Sequence, residues 1–477
     1  MARSGDTDAT SPGERVVMRE VAPWAPELPA MLRSSPARAV LGLGVPLALA
    51  SLFQAAFNLT EVWIFGQIGD AGASLAGAAA SDLLTAVFAL LAHGMATAAV
   101  AQVSRATGAR DEARAGAAAR AVLAVGLALS LGSALVGLFA TPLGAVFMSP
   151  EARGPGTVFL RIMALGGGGT VFMVIAIGVL RARGDARGPL ALVAGVSAAN
   201  LLLEAAFTLG WWGLGRHGLE ASAWVTVTLR GLTAAAGVWL IARSLPLRPR
   251  AGAPWVDRAV LREQLGLGLL SALQQSVRVV AILALVALAT ALLTAERGEV
   301  AFRALMLWTK VDIPMILMAM ALGGGASPVV GALLGAREPA RAGVAARTGA
   351  LAAAAGGLVN LGLVALFGAD LVTAFVPDAP EVRDATLTLL WHVAPCYPLM
   401  ALGMACGAAL NGAGDMRRPL VWDVALLLGV QTGLAAVLLG LTGDAVGLNL
   451  ALTASGLLQG LVPGLILARA ARRWATA

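Results

Sequence analysis

The sequence predicts an all-α polytopic membrane protein, with twelve transmembrane helices forming two six-helix lobes related by an internal parallel repeat. Composition is the first ground: of 477 residues, 58% are hydrophobic and only 13% charged, with a mean hydropathy of +0.81. A helix needs about 20 apolar residues to cross a bilayer core, and stretches of that kind recur along nearly the whole chain. The second ground is duplication. Gly108-Ala-Arg-Asp-Glu-Ala-Arg-Ala-Gly116 returns as Gly335-Ala-Arg-Glu-Pro-Ala-Arg-Ala-Gly343, 227 positions later. Gly184-Asp-Ala-Arg-Gly-Pro-Leu190 returns as Gly414-Asp-Met-Arg-Arg-Pro-Leu420 after 230, and Leu41-Gly-Leu-Gly44 as Leu265-Gly-Leu-Gly268 after 224. Three matches in one order at a nearly constant offset mean a doubled unit. Whatever one half has and the other lacks then becomes a candidate for function rather than scaffold.

Glycine, proline and charge clusters delimit the elements. Spans are expected at roughly 38–66, 74–104, 114–140, 155–181, 188–212 and 218–243, then 262–292, 304–334, 342–368, 384–411, 418–440 and 445–470. The first six make an amino-terminal lobe over 38–243 and the last six a carboxy-terminal lobe over 262–470. A polar linker, 244–261, carries Pro246, Pro249 and Pro254. Because six is even, both lobes enter the membrane from the same side, so the repeats are parallel. Residues 1–37 are polar, mixed in charge and proline-bearing, without the apolar stretch of a cleavable signal. They are expected to form a disordered cytoplasmic tail, and 471–477 a short cytoplasmic tail at the other end.

Charge placement, the third ground, orients the bundle. The ends of spans that should share one side hold 25 arginines, in clusters around Arg38, Arg105–Arg120, Arg181–Arg187, Arg243–Arg262, Arg337–Arg347, Arg417–Arg418 and Arg469–Arg473. The opposite side has six, Arg153, Arg161, Arg216, Arg297, Arg303 and Arg383, among the acids Asp70, Glu151, Asp370, Asp378, Glu381 and Asp444. Arginine bias marks the cytoplasmic side, so both termini are expected inside. Topogenic arginines thus explain the net charge of +7, and no nucleic-acid partner is expected. Cys396 and Cys406 make neither a metal motif nor a disulfide framework. No catalytic triad or nucleotide loop is apparent, and Gly166–Gly169 and Gly323–Gly325 lie in apolar spans where glycine serves packing or bending. The protein is expected to be no enzyme and to need no cofactor or structural metal.

Ionisable side chains inside spans are costly and therefore informative. With a rise of about 1.5 Å per residue, Glu61 and Asp82 lie about 34 Å from the arginines of their helices, and Glu204 and Thr226 about 26 Å. All four fall in the outer half of the first lobe. Through the repeat offsets, Pro46 maps to Leu270, Glu61 to Leu285, Asn200 to Val430 and Glu204 to Leu434. Pro46 can bend span 1, and its twin cannot. The amino-terminal half alone is therefore expected to hold ionisable groups in apolar surroundings. Arg230 and Arg278 read as counter-ions. Lys310 and Asp312 are two residues apart, so they face different partners. His392 and Tyr397 are candidates for a cavity wall, and His93 for a helix–helix hydrogen bond.

Taken in order, Gly44-Val-Pro46, Asn58-Leu-Thr-Glu61, Asn200-Leu-Leu-Leu-Glu204, the two Gly-Asp loops, Lys310-Val-Asp312, Tyr397-Pro398 and Asn411-Gly-Ala-Gly-Asp415 resemble the multidrug and toxic compound extrusion family. The likeness is nearest to its bacterial DNA-damage-inducible branch and covers nearly everything after residue 38. It implies a monomeric inner-membrane antiporter that exports amphipathic, cationic compounds in exchange for protons or sodium by alternating access. It also implies that Glu61, Asn200, Glu204 and Thr226 occupy the family's cation-coupling positions, with Asp82 nearby. Two of these are glutamate where the family has aspartate. The acid often found in the family's seventh helix is replaced by Gln274, Gln275 and Arg278. Protonation from outside would then remove a negative charge, weaken cation binding and let span 1 bend at Pro46. The alternative is a flippase for lipid-linked oligosaccharide or peptidoglycan precursor, whose anionic cargo would want a basic cavity. A major facilitator also has six helices plus six, but the loop after span 2 lacks that family's Asp-Arg-x-Gly-Arg core.

Overall fold

Helices α1 (Ala30–Arg33) and α2 (Pro36–Gly66) open the described chain of the computed structural model, which comprises residues 30–68, 71–213, 217–249, 252, 254–376 and 379–476. Residues 1–29 of the expected tail, and Asp70, Arg216, Arg250 and Asp378 of the charge analysis, lie outside them. The first half continues with α3 (Ala71–Gly108), α4 (Glu112–Leu138), α5 (Ala140–Phe147), α6 (Pro150–Leu165), α7 (Gly167–Ala182), α8 (Arg187–Leu209) and α9 (Gly218–Ser244). The second half has α10 (Arg258–Leu292), α11 (Ala295–Gly324), α12 (Ala326–Gly335), α13 (Pro339–Phe375), α14 (Pro380–Val393) and α15 (Tyr397–Gly412). It closes with α16 (Arg417–Asp423), α17 (Thr432–Thr442) and α18 (Val446–Thr476). Among the described residues there is no strand, and the twelve expected spans all appear as helices or broken helices. Leu131, Leu351, Leu366 and Leu441 are 63–78% exposed on the outside of the bundle, an apolar exterior that only lipid satisfies.

The duplicated motifs prove to be turns and contacts. Arg110 and Arg337, at matching places in the repeated Gly-Ala-Arg loops, both adopt left-handed backbone, with φ of 57° and 60°. The following amides close the same helix-end bond, Asp111 to the Ala106 carbonyl at 2.9 Å and Glu338 to that of Leu333 at 2.8 Å. Gly184 and Gly414, with φ of 83° and 77°, do the same for the second pair of loops. The second glycine of each Leu-Gly-Leu-Gly motif sits where the halves touch. Gly44 lies against the Leu322 backbone and Gly268 against Met95, so a side chain at either place would collide.

Glycine also breaks the spans, as its placement in apolar stretches foretold. The fourth span bends by 46° between α6 and α7, where Gly166 packs under Val227 and Gly169 under Gly231. The eighth breaks at Gly325, which presses on the Val40 carbonyl. The eleventh carries a π-helical stretch, Val424–Gln431.

Three expectations need correction. The tail is folded from Ala30, because Met31 and Leu32 are buried and Arg341 donates to the carbonyls of Leu32 (3.1 Å) and Ser34 (2.8 Å). The carboxy-terminal segment is not separate from the last span, since α18 runs helical to Thr476. Helix α5 was not foreseen; Arg161 reaches Thr141 at 2.7 Å and Arg153 the Ala145 carbonyl at 3.0 Å to hold it.

The halves are pinned along one end of the bundle, the arginine-rich one. Arg105 of α3 donates to the Ala413 carbonyl, Arg181 of α7 to that of Gly324 at 3.3 Å, and Gln264 of α10 to that of Met95 at 2.7 Å. Arg114 and Glu263 add an ion pair at 3.4 Å. Glu61, Asp82 and Lys310 lie on the same helices beyond this seam, toward the opposite end.

Candidate cation-coupling site

Asn200 and Glu204 are one turn apart on α8, and Ser222 and Thr226 one turn apart on the neighbouring α9, so each pair shares a helix face. The two faces meet. Glu204 is 0% exposed, and its Oε1 accepts hydrogen bonds from Ser222 (2.8 Å), Thr226 (3.1 Å) and Asn200 (3.4 Å). The Asn200 amide also donates to Thr226 at 3.2 Å. All three donors converge on one carboxylate oxygen. Glu204 Oε2 and Asn200 Oδ1 are buried and find no hydrogen-bond partner among the described residues. Buried polar atoms are seldom left so. Both orphans are acceptors, which a hydrogen-bond donor, a proton on the carboxyl or a small cation would satisfy. The donor set is oxygen only, which suits a hard ion rather than a thiolate-seeking metal. Among the described residues no cluster of His, Cys, Asp and Glu could hold a structural metal.

Glu61, half-buried on α2, extends this site. The charges of Glu204, Asp82, Arg230 and Lys310 all act on it, and those of Arg230 and Lys310 also act on Asp82. Arg230 is steadied by donating to Thr170 at 3.3 Å. The structure therefore groups Glu61, Asp82, Asn200, Glu204, Thr226 and Arg230 in the first half, with Lys310 of the second near enough for its charge to act on Glu61 and Asp82. Pro46 lies in α2 fifteen residues before Glu61, and the helix continues through it.

The other candidates go elsewhere. Arg278 is a counter-ion, but to Asp423 (3.6 Å), which also accepts from Gln274 at 3.0 Å; Asn411 donates to Gln274 at 3.4 Å. Asp312 is 3% exposed and lies in the second half beside Tyr397 and Trp308, without closing hydrogen bonds of ordinary geometry. His392 is tied to the Thr388 carbonyl of its own helix at 2.7 Å, and His93 to that of Ala89 at 2.8 Å, rather than to another helix. Asp312 and Asp423 (2% exposed) overturn the expectation that the first half alone buries ionisable groups. Ser222 was missed, although its place one turn before Thr226 pointed to it. Asp423 was missed, although it falls inside the expected span 418–440, because its partner Arg278 lies far away in sequence.

Comparison with known proteins decides the family. The MatE family model matches twice, over residues 46–205 and 276–437, one copy in each half. The chain belongs to the MatE family. Members are transporters, not enzymes, and need no cofactor. Similar curated proteins include "Multidrug resistance protein NorM" of Burkholderia vietnamiensis, 26% identical over 400 residues, covering 80% of this chain and 82% of that protein. Another is "Multidrug resistance protein PmpM" of Pseudomonas aeruginosa, 25% identical over 461 residues and covering 91% and 92%. Among solved structures, "Crystal structure of MATE in complex with MaL6" superposes with a TM-score of 0.84 at 21% identity, covering 94% of this chain and all of the other. "Outward-facing conformation of a multidrug resistance MATE family transporter of the MOP superfamily" gives 0.84 at 20%, covering 94% and 99%. These MATE structures have the same fold.

Proposed function

We propose that this MatE-family chain is a secondary active multidrug antiporter, exporting amphipathic organic cations in exchange for protons or sodium by alternating access. Its unit is a monomer in a bacterial inner membrane, with lobes 38–243 and 262–470 and both termini in the cytoplasm. One observation carries the reading: a buried carboxylate and a buried amide oxygen, Glu204 Oε2 and Asn200 Oδ1, both lacking a donor, in the half whose twin has leucine. Arginine bias makes the pinned end cytoplasmic, so the seam closes the inner side and leaves Glu61 and Asp82 reachable from outside. An entering proton or sodium ion satisfies the Glu204 set and cancels the charge that holds an organic cation. Because a ligand shifts an equilibrium only by its differential affinity for the two states, exchange of ion for cargo at one cluster couples their movements. Pro46 is the hinge that lets α2 follow. The NorM and PmpM relatives, both multidrug resistance proteins by name, support an export role.

The test is dye export from proteoliposomes under a pH gradient, a sodium gradient or neither. Export that follows one of the two gradients, and is lost in Glu61→Gln and Glu204→Gln, is expected; wild-type rates in both variants contradict the proposal. The flippase reading draws on Arg230 and Lys310 beside the acids, and translocation of an undecaprenyl-linked sugar by the same vesicles without dye export would favour it.

A further inference from the structure

Of the 34 basic residues in the chain, Lys310 alone is lysine. It differs from arginine in carrying a compact point charge on a flexible stem, free to follow a moving partner. Its helix, α11, belongs to the second half and packs antiparallel against α2 of the first, pinned where Gly44 meets Leu322 and Val40 meets Gly325. Lys310 lies twelve residues beyond Leu322 and Glu61 seventeen beyond Gly44, placing them about 18 Å and about 25 Å from the pin along facing helices. Both therefore stand on the open side of the seam, at levels differing by about 8 Å. The Lys310 side chain is exposed, makes no salt bridge among the described residues, and is separated from Asp312, which turns into its own half. Of the first-half acids, Glu61 on α2 and Asp82 on α3 are those on which its charge acts.

We propose that Lys310 is a cross-lobe positioning residue: its ammonium is drawn toward ionised Glu61 and Asp82, pulling α11 toward α2 and α3, and a cation at those carboxylates releases it. Cargo and lysine then compete for the same negative charge, so occupancy of the first lobe is felt by the second. The inference rests on the antiporter reading.

Since Lys310 is the only lysine, amine acylation reports on it directly. The full chain in proteoliposomes is acylated and the Lys310 peptide read by mass spectrometry. Wild type is compared with Glu61→Gln/Asp82→Asn, and with wild type saturated with tetraphenylphosphonium. Release in either case is expected to speed acylation about fivefold or more, the factor carried by about 1 kcal/mol. Equal rates in all three overturn the proposal. A second arm measures gradient-driven dye export: Lys310→Arg, which keeps the charge on a stiffer head, is expected to retain part of it and Lys310→Gln to lose it, while Lys310→Gln at wild-type rate overturns the latch. Failure of wild type itself to export would sink the antiport reading instead, and the acylation arm, which needs no transport, still judges the lysine.

Discussion

At the level of Glu61 and Glu204, the two halves of the molecule diverge. In the first half, Asn200 and Thr226 join α8 to α9 at 3.2 Å and both bond the Glu204 carboxylate. In the second, Gln431, one residue past Val430 at the register of Asn200, bonds Ser455, one short of the register of Thr226, at 2.9 Å. The neutral cross-helix bond survives duplication; the carboxylates do not. Glu204 is replaced by Leu434 and Glu61 by Leu285, which is 0% exposed in an apolar cluster with Leu305 and Leu439. The second half has an ion pair of its own, Arg278 with Asp423, where the first has Gln54 and Val193. That pair neutralises itself, whereas Glu204 makes no salt bridge among the described residues; buried acceptors without a donor occur in both halves, at Glu204 and Asn200 and at Asp312 and Asn411. The difference separates a bond that holds helices from the carboxylate at which we propose the coupling cation binds.

Erasing the difference should have the largest effect. Glu204→Leu, which gives the first half its twin's residue, is expected to reduce gradient-driven dye export to that of empty liposomes. Its thermal midpoint is expected to fall modestly, because the buried Ser222, Thr226 and Asn200 donors lose their shared acceptor. Export that persists, or a protein that no longer folds, would show the residue to be scaffold. Next comes Arg278→Ala, which leaves the Asp423 carboxylate buried and alone at a cost of about 3 kcal/mol. A lowered thermal midpoint that is largely recovered in Arg278→Ala/Asp423→Ala is expected; no change in the single variant would mean the pair is solvated. Smaller still is Ser222→Ala, which removes one donor from Glu204, worth about 1–2 kcal/mol. It should move the ion concentration for half-maximal export without changing which ion drives it. Smallest is Ser455→Ala in the twin bond, expected to lower stability by about 1 kcal/mol and leave ion dependence untouched.

Much of this was legible in the sequence, for physical reasons. Bilayer-length apolar stretches and arginine-rich ends place twelve spans, and glycine in those stretches marks the bend at Gly166 and the close contact at Gly325. Glu61, Asn200, Glu204 and Thr226 could be found because a helix converts residue number into depth and face. Asp423 could not, since its meaning depends on Arg278, 145 positions away in sequence. The same holds for Lys310, whose partners lie across the seam between halves. Residues 30–37 looked like tail because what orders them is Arg341, far along the chain.

The central claim is that organic cation and coupling ion exchange at the carboxylates of the first half. Its most direct test is ion release from purified protein in weakly buffered detergent solution on adding a cationic dye, followed with a pH electrode and a sodium electrode. Wild type should release protons or sodium as dye binds, and Glu61→Gln/Glu204→Gln should release neither. Equal release from both proteins would contradict the account.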